Sequence, residues 1–271
     1  MKFNYQELRH FIRHPLETMK NIFKIIDYKF KLSRTAKILD GGERIIINNW
    51  DYAKDSNNID HSIHIKRYEW VKDHLKNLKV LDNGCGTGYG TYFLAKNNVK
   101  EIIGIDISKK SIEYAQEKYN ANNLKFKQMN SLSLDLTDDY FDAVISFDVI
   151  EHIDEKHQKK YLSEIIKVIH DDGFLIIGNP NAELSREKNP HHKKELTLNE
   201  FKGLLKLFFK KIDLFGEKFV VNGKNLAEKW FDYIKDMKYS NIKITKNECE
   251  LSFNLLAICT NPIKRVNENY L

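Results

Sequence analysis

Three glycines alternate with other residues in the segment 84–88, which reads GCGTG. A compact apolar pair, Val80–Leu81, precedes this segment, and a helical pattern over Thr91–Asn98 follows it. Neither a strand nor a helix favours so much glycine, because glycine loses the most backbone freedom on folding. The segment therefore predicts a turn at the carboxyl end of a strand, where ligands approach the backbone in open α/β sheets.

Short apolar runs and helical patterns alternate from residue 79 onwards. The predicted strands are Val80–Leu81, Glu101–Ile107, Leu124–Met129, Phe141–Phe147 and Gly173–Gly178. The predicted helices between them are Thr91–Asn98, Lys109–Asn120 and Glu155–His170. Alternation of this kind is typical of an α/β fold, a mostly parallel sheet with helices on both faces.

The last third of the chain follows a different pattern. Thr197 and Glu200 have the spacing of a capping box, which predicts the start of another helix. Two further strands are predicted over Lys211–Val221 and Leu251–Thr260, with an inserted helix around Lys229–Met237.

The positive charge is concentrated at the amino terminus. The 271 residues carry a net charge of +6, and residues 1–40 hold nine Lys or Arg and four Asp or Glu, which gives 9 − 4 = +5. A uniformly basic nucleic-acid-binding protein would not have this distribution. Residues 1–40 are therefore predicted to be a basic helical extension.

Within this extension, apolar residues after Pro15 share one helical face: Leu16, Met19, Phe23, Ile26 and Phe30. The pattern predicts an amphipathic helix over residues 15–32. It either packs on the main domain, packs on a second subunit in a homodimer, or rests on a membrane surface.

The remaining composition indicates a cytoplasmic protein with reduced thiols. No run of 18 apolar residues occurs in the sequence, so no membrane-spanning helix is expected. The first residues lack the apolar core of a secretion signal. The three cysteines have no Cys-x-x-Cys spacing, so neither a disulfide framework nor a zinc site is expected.

Asp106 is the second ligand-binding candidate. It ends a predicted strand, eighteen residues after Gly88, and a carboxylate at this place can accept hydrogen bonds from both ribose hydroxyls of a nucleotide. Its alternative role is to cap the following helix. The glycine segment lacks the third glycine of a dinucleotide fingerprint and the Gly-Lys-Ser/Thr of a phosphate loop.

Four segments in this order, VLDNGCGTGYG, GIDIS, FDAVISFDVIEHI and DDGFLIIGNPN, resemble the class I S-adenosylmethionine-dependent methyltransferases. Three other elements resemble a bacterial subgroup found among cell-surface polysaccharide genes: Gly42-Glu43-Arg44, His64 to Tyr68, and Asn189 to Glu195. The resemblance implies a Rossmann-like sheet of seven strands with an antiparallel last strand. It also implies a methyltransferase domain over 41–271, divided into a lid (41–77), a cofactor-binding core (78–181) and an acceptor region (182–271).

The resemblance implies a site for S-adenosylmethionine around the glycine segment. Asp82 and the glycines would hold its methionine part, Asp106 its ribose, and Ile107 and residues 130–132 its adenine. At Asn130 the family commonly has an aspartate, and an amide oxygen can still accept a hydrogen bond from the adenine amine. The full expected set is Asp82, Gly84, Cys85, Gly86, Gly88, Asp106, Ile107, Asn130, Ser131, Leu132, Phe147, Tyr68 and Arg44.

Two histidines are the candidates for catalysis. His152 follows the fourth strand, where an acceptor would meet the methyl group, and His192 lies in the loop after the fifth strand. Each is either a base or positioning residue, or a structural residue of its loop. Glu151 is expected to orient the cofactor or the loop. No metal-ligating constellation is predicted, since the aspartates at 135, 138 and 139 lack ligand spacing.

The expected function is O-methylation of a sugar or sugar-linked group in cell-surface polysaccharide assembly. The acceptor would be anionic, nucleotide-linked or lipid-linked. Methyl transfer to oxygen or nitrogen of another small molecule or lipid is one alternative, and a non-catalytic partner subunit is another. A nicotinamide-dependent oxidoreductase is disfavoured by the glycine pattern, and a nucleic-acid methyltransferase by the absence of an Asn/Asp-Pro-Pro-Tyr/Phe tetrapeptide.

Overall fold

The computed structural model describes residues 45–47, 50, 54, 58–184, 189–221, 223–226 and 238–264. The chain divides into two compact units, Met1–Ile46 and Ile47–Leu271, and every element below belongs to the second. Residues 1–40, Arg44 and the helix predicted over Lys229–Met237 lie outside the described residues.

The described part of the second unit contains five α-helices that are described over their full length and nine β-strands, besides short 3₁₀ helices and two helical residues at 50 and 54. The helices are α1 (Ile59–Val71), α2 (Tyr89–Ala95), α3 (Lys109–Lys118), α4 (Glu155–Val168) and α5 (Leu198–Leu205). The strands are β1 (Lys79–Asn83), β2 (Glu101–Asp106), β3 (Leu124–Gln128), β4 (Phe141–Phe147), β5 (Ile169–Pro180), β6 (Phe209–Val221), β7 (Lys224–Asn225), β8 (Ile242–Thr245) and β9 (Asn254–Pro262).

Seven strands lie side by side in the order β3-β2-β1-β4-β5-β9-β6. The pairs from β3 to β5 are parallel, whereas β9 runs antiparallel to both β5 and β6. The predicted Rossmann-like sheet with its antiparallel last strand is therefore confirmed. Two short strands that the sequence did not predict, β7 and β8, pair antiparallel with β6.

Helices cover both faces of the sheet. Right-handed crossovers place α2 and α3 on one face and α4, which joins β4 to β5, on the other. The α4 face has a core in which alternate strand residues meet α4 and α5: Leu81, Ile105, Val144, Leu175, Ile177, Tyr161, Ile165, Phe201 and Leu205. Full burial of each large apolar side chain contributes about 1.5–3 kcal/mol, so this core dominates the stability of the sheet.

Some element boundaries differ from the predicted ones. Strand β5 begins at Ile169, which pairs with Phe141, and a register irregularity separates this pair from Ala143–Phe174. The sequence predicted a helix that continues to His170 and a strand that begins at Gly173, whereas α4 ends at Val168 and the exposed polar residues 170–172 belong to β5. The capping box of α5 is present, with reciprocal hydrogen bonds between Thr197 and Glu200. In the described residues, no helix has the length and apolar character to cross a bilayer.

Candidate functional site

The glycine segment forms the turn between β1 and α2. Gly84, Gly86 and Gly88 all have positive φ, at 88°, 55° and 81°, a region that residues with a Cβ avoid. A Cβ on Gly84 would lie 2.2 Å from Val149, and one on Gly88 would lie 2.7 Å from Phe126. A Cβ on Gly86 would meet nothing within 4 Å. Two glycines thus serve packing within the protein, and Gly86 presents its backbone to open space.

Asp106 links this turn to the end of β2. Its Oδ2 accepts a hydrogen bond from the Gly86 amide at 3.0 Å, and its Oδ1 accepts one from the Ser108 amide at 2.8 Å. The cap of α3 is Ser108, whose side chain accepts from the Ser111 amide, so the capping role considered for Asp106 belongs to its neighbour. Ile107 is 64% exposed beside it. The strand end therefore combines a carboxylate with an exposed apolar surface.

Asp82 is the buried carboxylate at the start of the turn. It accepts hydrogen bonds from Thr91 Oγ1 at 2.6 Å and from the Tyr68 hydroxyl at 3.2 Å. Burial raises its pKa to about 7, although these two hydrogen bonds act in the opposite direction. The Tyr68 ring stands edge-on to Phe147, with centroids 5.8 Å apart. The Tyr68 ring packs directly against the backbone of Gly90. A Cβ on Gly90 would lie 2.0 Å from the ring.

The segment after β3 lies against β1. Ser131 donates a hydrogen bond to Asn83 Oδ1 at 2.6 Å. Asn130 is exposed, and its side-chain oxygen accepts from the Leu132 amide at 2.9 Å.

Cys85 is buried, which raises the pKa of its thiol well above the ordinary value. The thiol therefore stays protonated and contributes packing to the turn.

A buried ion network joins α1 to the end of β4 and to β6. Arg67 is 2% exposed, and its guanidinium donates to Asp148 at 2.5 Å and to Glu217 at 2.8 Å. Asn254 donates a further hydrogen bond to Glu217 at 3.1 Å. His64 Nε2 lies 3.5 Å from Asp148. Arg67 belongs to the His64–Tyr68 element of the family resemblance, and in the fold its guanidinium pairs with these two protein carboxylates.

The two carboxylates of this network have opposite pKa shifts. Burial raises the pKa of Glu217, because its attraction to Arg67 does not compensate the desolvation. At Asp148 burial acts in the same direction, but Arg67 and His64 outweigh it and lower the pKa. Burial tends to lower the pKa of Arg67, yet its two partners raise it overall. The network thus depends on a charged Arg67.

The fold brings the two candidate catalytic histidines together. His152 ends a short 3₁₀ helix after β4, and its ring stands edge-on to that of His192, with centroids 5.0 Å apart. His152 Nδ1 lies 3.0 Å from the His191 carbonyl oxygen, and His192 Nδ1 lies 2.6 Å from Glu195 Oε1. Because both acceptors are oxygen atoms, Nδ1 carries the proton in each neutral ring and Nε2 has the lone pair.

Glu151 lies beside this histidine pair. It is 0% exposed, and neither carboxylate oxygen has a hydrogen-bond partner among the described residues. Burial, with a contribution from Asp148, raises its pKa well above the ordinary value. One ligand atom each of Glu151, His152 and His192 lies within 4.8 Å of the others. The sequence predicted no such group, because His192 is forty residues away from His152 along the chain.

Comparisons with known proteins agree with the fold. A family model described as "Methyltransferase domain" matches residues 74–238. A protein of Mycolicibacterium smegmatis named "Probable S-adenosylmethionine-dependent methyltransferase" is 31% identical over 59% of this chain. A mitochondrial "Ubiquinone biosynthesis O-methyltransferase" of Dictyostelium discoideum is 31% identical over 40% of the chain. The match covers 62% of the first relative and 36% of the second.

A solved structure also has this fold. Magnesium protoporphyrin IX methyltransferase of Synechocystis, with S-adenosylhomocysteine bound, aligns with a TM-score of 0.51 and 17% identity. The alignment covers 89% of this chain and 100% of that one. With the family match over more than half of its length, the chain belongs to the methyltransferase-domain family and has the class I fold of S-adenosylmethionine-dependent methyltransferases.

Proposed function

We propose that this protein binds S-adenosylmethionine and transfers its methyl group to a hydroxyl acceptor. The observation that carries the proposal is the Asp106 carboxylate, fixed at the end of β2 by the amides of Gly86 and Ser108. A carboxylate has about four acceptor positions, so Asp106 can also accept hydrogen bonds from both ribose hydroxyls. Family membership supports the same cofactor.

The residues around Asp106 fit this cofactor. Gly86 has space for a ligand against its backbone, and the exposed Ile107 offers an apolar surface for adenine. Asp82 and Asp106 favour a ligand with a positive charge. Ser131, which is hydrogen-bonded to Asn83 at the end of β1, and Leu132 would border the adenine. Asn130 would accept from the adenine amine through the second lone pair of its side-chain oxygen.

When bound, the sulfonium supplies an activated methyl group for a single displacement. The protein then needs to align the acceptor and remove the proton of its hydroxyl. Removal of a proton by a positioned base contributes roughly 10²–10⁴-fold to the rate. His152 and His192 fit this task, since hydrogen bonds at Nδ1 direct the lone pair to Nε2 in both rings.

For the acceptor, we propose a hydroxyl of a sugar or sugar-linked group in cell-surface polysaccharide assembly, on a nucleotide-linked or lipid-linked carrier. Such carriers occur in the cytoplasm and at the inner face of the membrane, which is where the protein would act. The relative named as a ubiquinone biosynthesis O-methyltransferase supports an alternative, methylation of another small molecule or lipid. Nucleic acid is the least favoured acceptor.

The assay that tests this function follows tritium from methyl-labelled S-adenosylmethionine. The acceptors would be nucleotide sugars, a lipid-linked oligosaccharide, an aminosugar and a polyprenyl phenol. We expect transfer to a hydroxyl sugar acceptor. Transfer to the aminosugar alone, or to the phenol alone, would replace the proposed acceptor with the alternative class. No transfer to any of them would favour a non-catalytic partner subunit.

His152→Ala is expected to lower the transfer rate by about 10²–10⁴-fold, the contribution of a positioned base. His170→Ala is the matched control, because His170 is also exposed but lies at the start of β5, away from the site. The control should keep full activity. Equal activity of both variants would show that His152 is not a base and has only a structural role in its loop.

The affinity for S-adenosylmethionine is expected to rise with pH between 5.5 and 7. Asp82, with a pKa of about 7, is mostly protonated at the lower pH, and a cationic ligand favours its ionised form. The ligand's own amine stays protonated below about pH 7.7. If only ionised Asp82 supports binding, the dissociation constant falls roughly 15-fold across this range.

Calorimetric titration of the cofactor at each pH, with the wild type and Asp82→Asn, checks this expectation. The variant cannot ionise at this position, so its dissociation constant should change little with pH. The raised pKa also predicts that the contribution of Asp82 to the free energy of unfolding falls as pH rises from 3.8 to 7. In this range the Asp82 carboxyl keeps its proton in the folded state and loses it in the unfolded state. A flat binding profile for the wild type would contradict the role given to Asp82.

A further inference from the structure

Glu151, His152 and His192 combine the donors of a metal site at the end of β4. One ligand atom of each lies within 4.8 Å of the others. Glu151 is fully buried, and its two oxygens have no hydrogen-bond partner among the described residues. A buried polar group without a partner is costly, and coordination of a cation would satisfy this one.

The histidines are oriented as metal ligands usually are. A metal-bound histidine donates its second ring N–H to a carboxylate or a carbonyl oxygen, which fixes the tautomer and the ring. His192 Nδ1 meets the Glu195 carboxylate at 2.6 Å, and His152 Nδ1 meets the His191 carbonyl at 3.0 Å. Asn189 Nδ2 lies 3.2 Å from His192 Nε2, so this amide would have to turn away.

We propose that Glu151, His152 and His192 bind a divalent first-row transition metal ion. Two imidazoles and one carboxylate suit Zn²⁺, Mn²⁺ or Co²⁺ better than Mg²⁺ or Ca²⁺. Bonds of about 2.1 Å would bring the ligand atoms to roughly 3.4 Å from one another in a tetrahedral site. The exposed His152 side chain can make this closure by rotation.

Three protein ligands leave coordination positions for the substrate. A cation there would bind the acceptor hydroxyl and lower its pKa, which makes the methyl acceptor a better nucleophile at neutral pH. With the ion bound, the Nε2 lone pairs of both histidines are coordinated, so activation by the metal replaces the base role proposed for them above. Val149, two residues before Glu151, stands against the glycine turn at Gly84. The ion would therefore lie on the loop that borders the proposed cofactor site. This role rests on the proposed function, whereas binding of the ion does not.

Cobalt binding to the full chain without a histidine tag is the direct test. We expect saturable binding of one Co²⁺ with visible d–d absorption, and competition by Zn²⁺ and Mn²⁺ but not by Mg²⁺. His152→Ala and His192→Ala should each weaken binding at least tenfold, and His170→Ala should not. Glu195→Gln should weaken it about 10–100-fold, as loss of a ligand-orienting partner does. Titration of S-adenosylhomocysteine into each variant shows that it is folded.

Two results would overturn the site: no saturable cobalt binding by the wild type, or binding that His152→Ala and His192→Ala leave intact. Chelation then tests the role of the ion in methyl transfer. Activity lost with a chelator and restored by Mn²⁺ or Zn²⁺ supports that role, and activity unchanged by chelation refutes it. Absence of any transfer by the metal-loaded protein would count against the proposed function but leave the metal site in place.

Discussion

Arg67→Met is expected to reduce the free energy of unfolding by about 3–5 kcal/mol, the usual cost of breaking a buried ion pair. Arg67 is the cation that the half-buried Asp148 and the fully buried Glu217 share. Methionine has a similar length but no charge, so it would leave two carboxylates without their counter-ion. Glu217 already has one oxygen without a hydrogen-bond partner among the described residues. Urea unfolding of both proteins measures the change.

Two further variants separate the charge effect from packing. Lys76→Ala removes the cation of the exposed pair with Asp73 and should leave the urea midpoint unchanged, because exposed pairs contribute little. Glu217→Gln in the Arg67→Met background removes one uncompensated charge and should recover part of the loss. If Arg67→Met has the midpoint of the wild type, the network does not stabilise the fold.

Gly86→Val is expected to weaken cofactor binding on the order of 100-fold and to lower the free energy of unfolding by about 1–2 kcal/mol through backbone strain. The valine side chain would occupy the space that Gly86 leaves open. It would also strain a backbone at φ 55°, whose amide donates to Asp106. Loss of hydrogen bonds to a charged group costs about 1.5–3 kcal/mol, which corresponds to this decrease in affinity.

Gly223→Val is the matched control. Gly223 also has a positive φ, of 75°, and a Cβ there would likewise meet nothing within 4 Å. It lies in the turn between β6 and β7, so both variants carry similar backbone strain and only one borders the proposed site. Calorimetry and thermal unfolding of both variants give the comparison. Equal affinities in the two variants would show that the ligand does not approach Gly86.

Local patterns in the sequence were sufficient to predict the frame of the site. The apolar runs gave the strands of the parallel sheet, and the GCGTG segment with Asp106 predicted which strand ends meet. The structure joins these two features through the hydrogen bond from Gly86 to Asp106. Each prediction relied on residues a few positions apart, or on the rule that parallel strands end at the same edge.

Interactions between distant residues could not be predicted in the same way. Arg67 pairs with carboxylates 81 and 150 residues away, and nothing in its local sequence indicates burial. His192 reaches His152 because the loop after β5 returns to Glu151, whose carbonyl accepts from the amides of Lys193 and Lys194. The sequence signal for the short β7 and β8 was also too weak, since two and four residues show no clear alternation.

The most direct test of the cofactor site is calorimetric titration of S-adenosylhomocysteine into the wild type, Asp106→Ala and Asp142→Ala. Asp142 is the matched control: its carboxylate also accepts a backbone amide hydrogen bond, from Lys79 at 2.8 Å, but at the opposite edge of the sheet. We predict dissociation constants on the order of micromolar for the wild type and Asp142→Ala, and at least about 100-fold weaker binding by Asp106→Ala. No binding by the wild type, or equal binding by all three proteins, would contradict a nucleoside site at the end of β2 and with it the proposed methyl transfer.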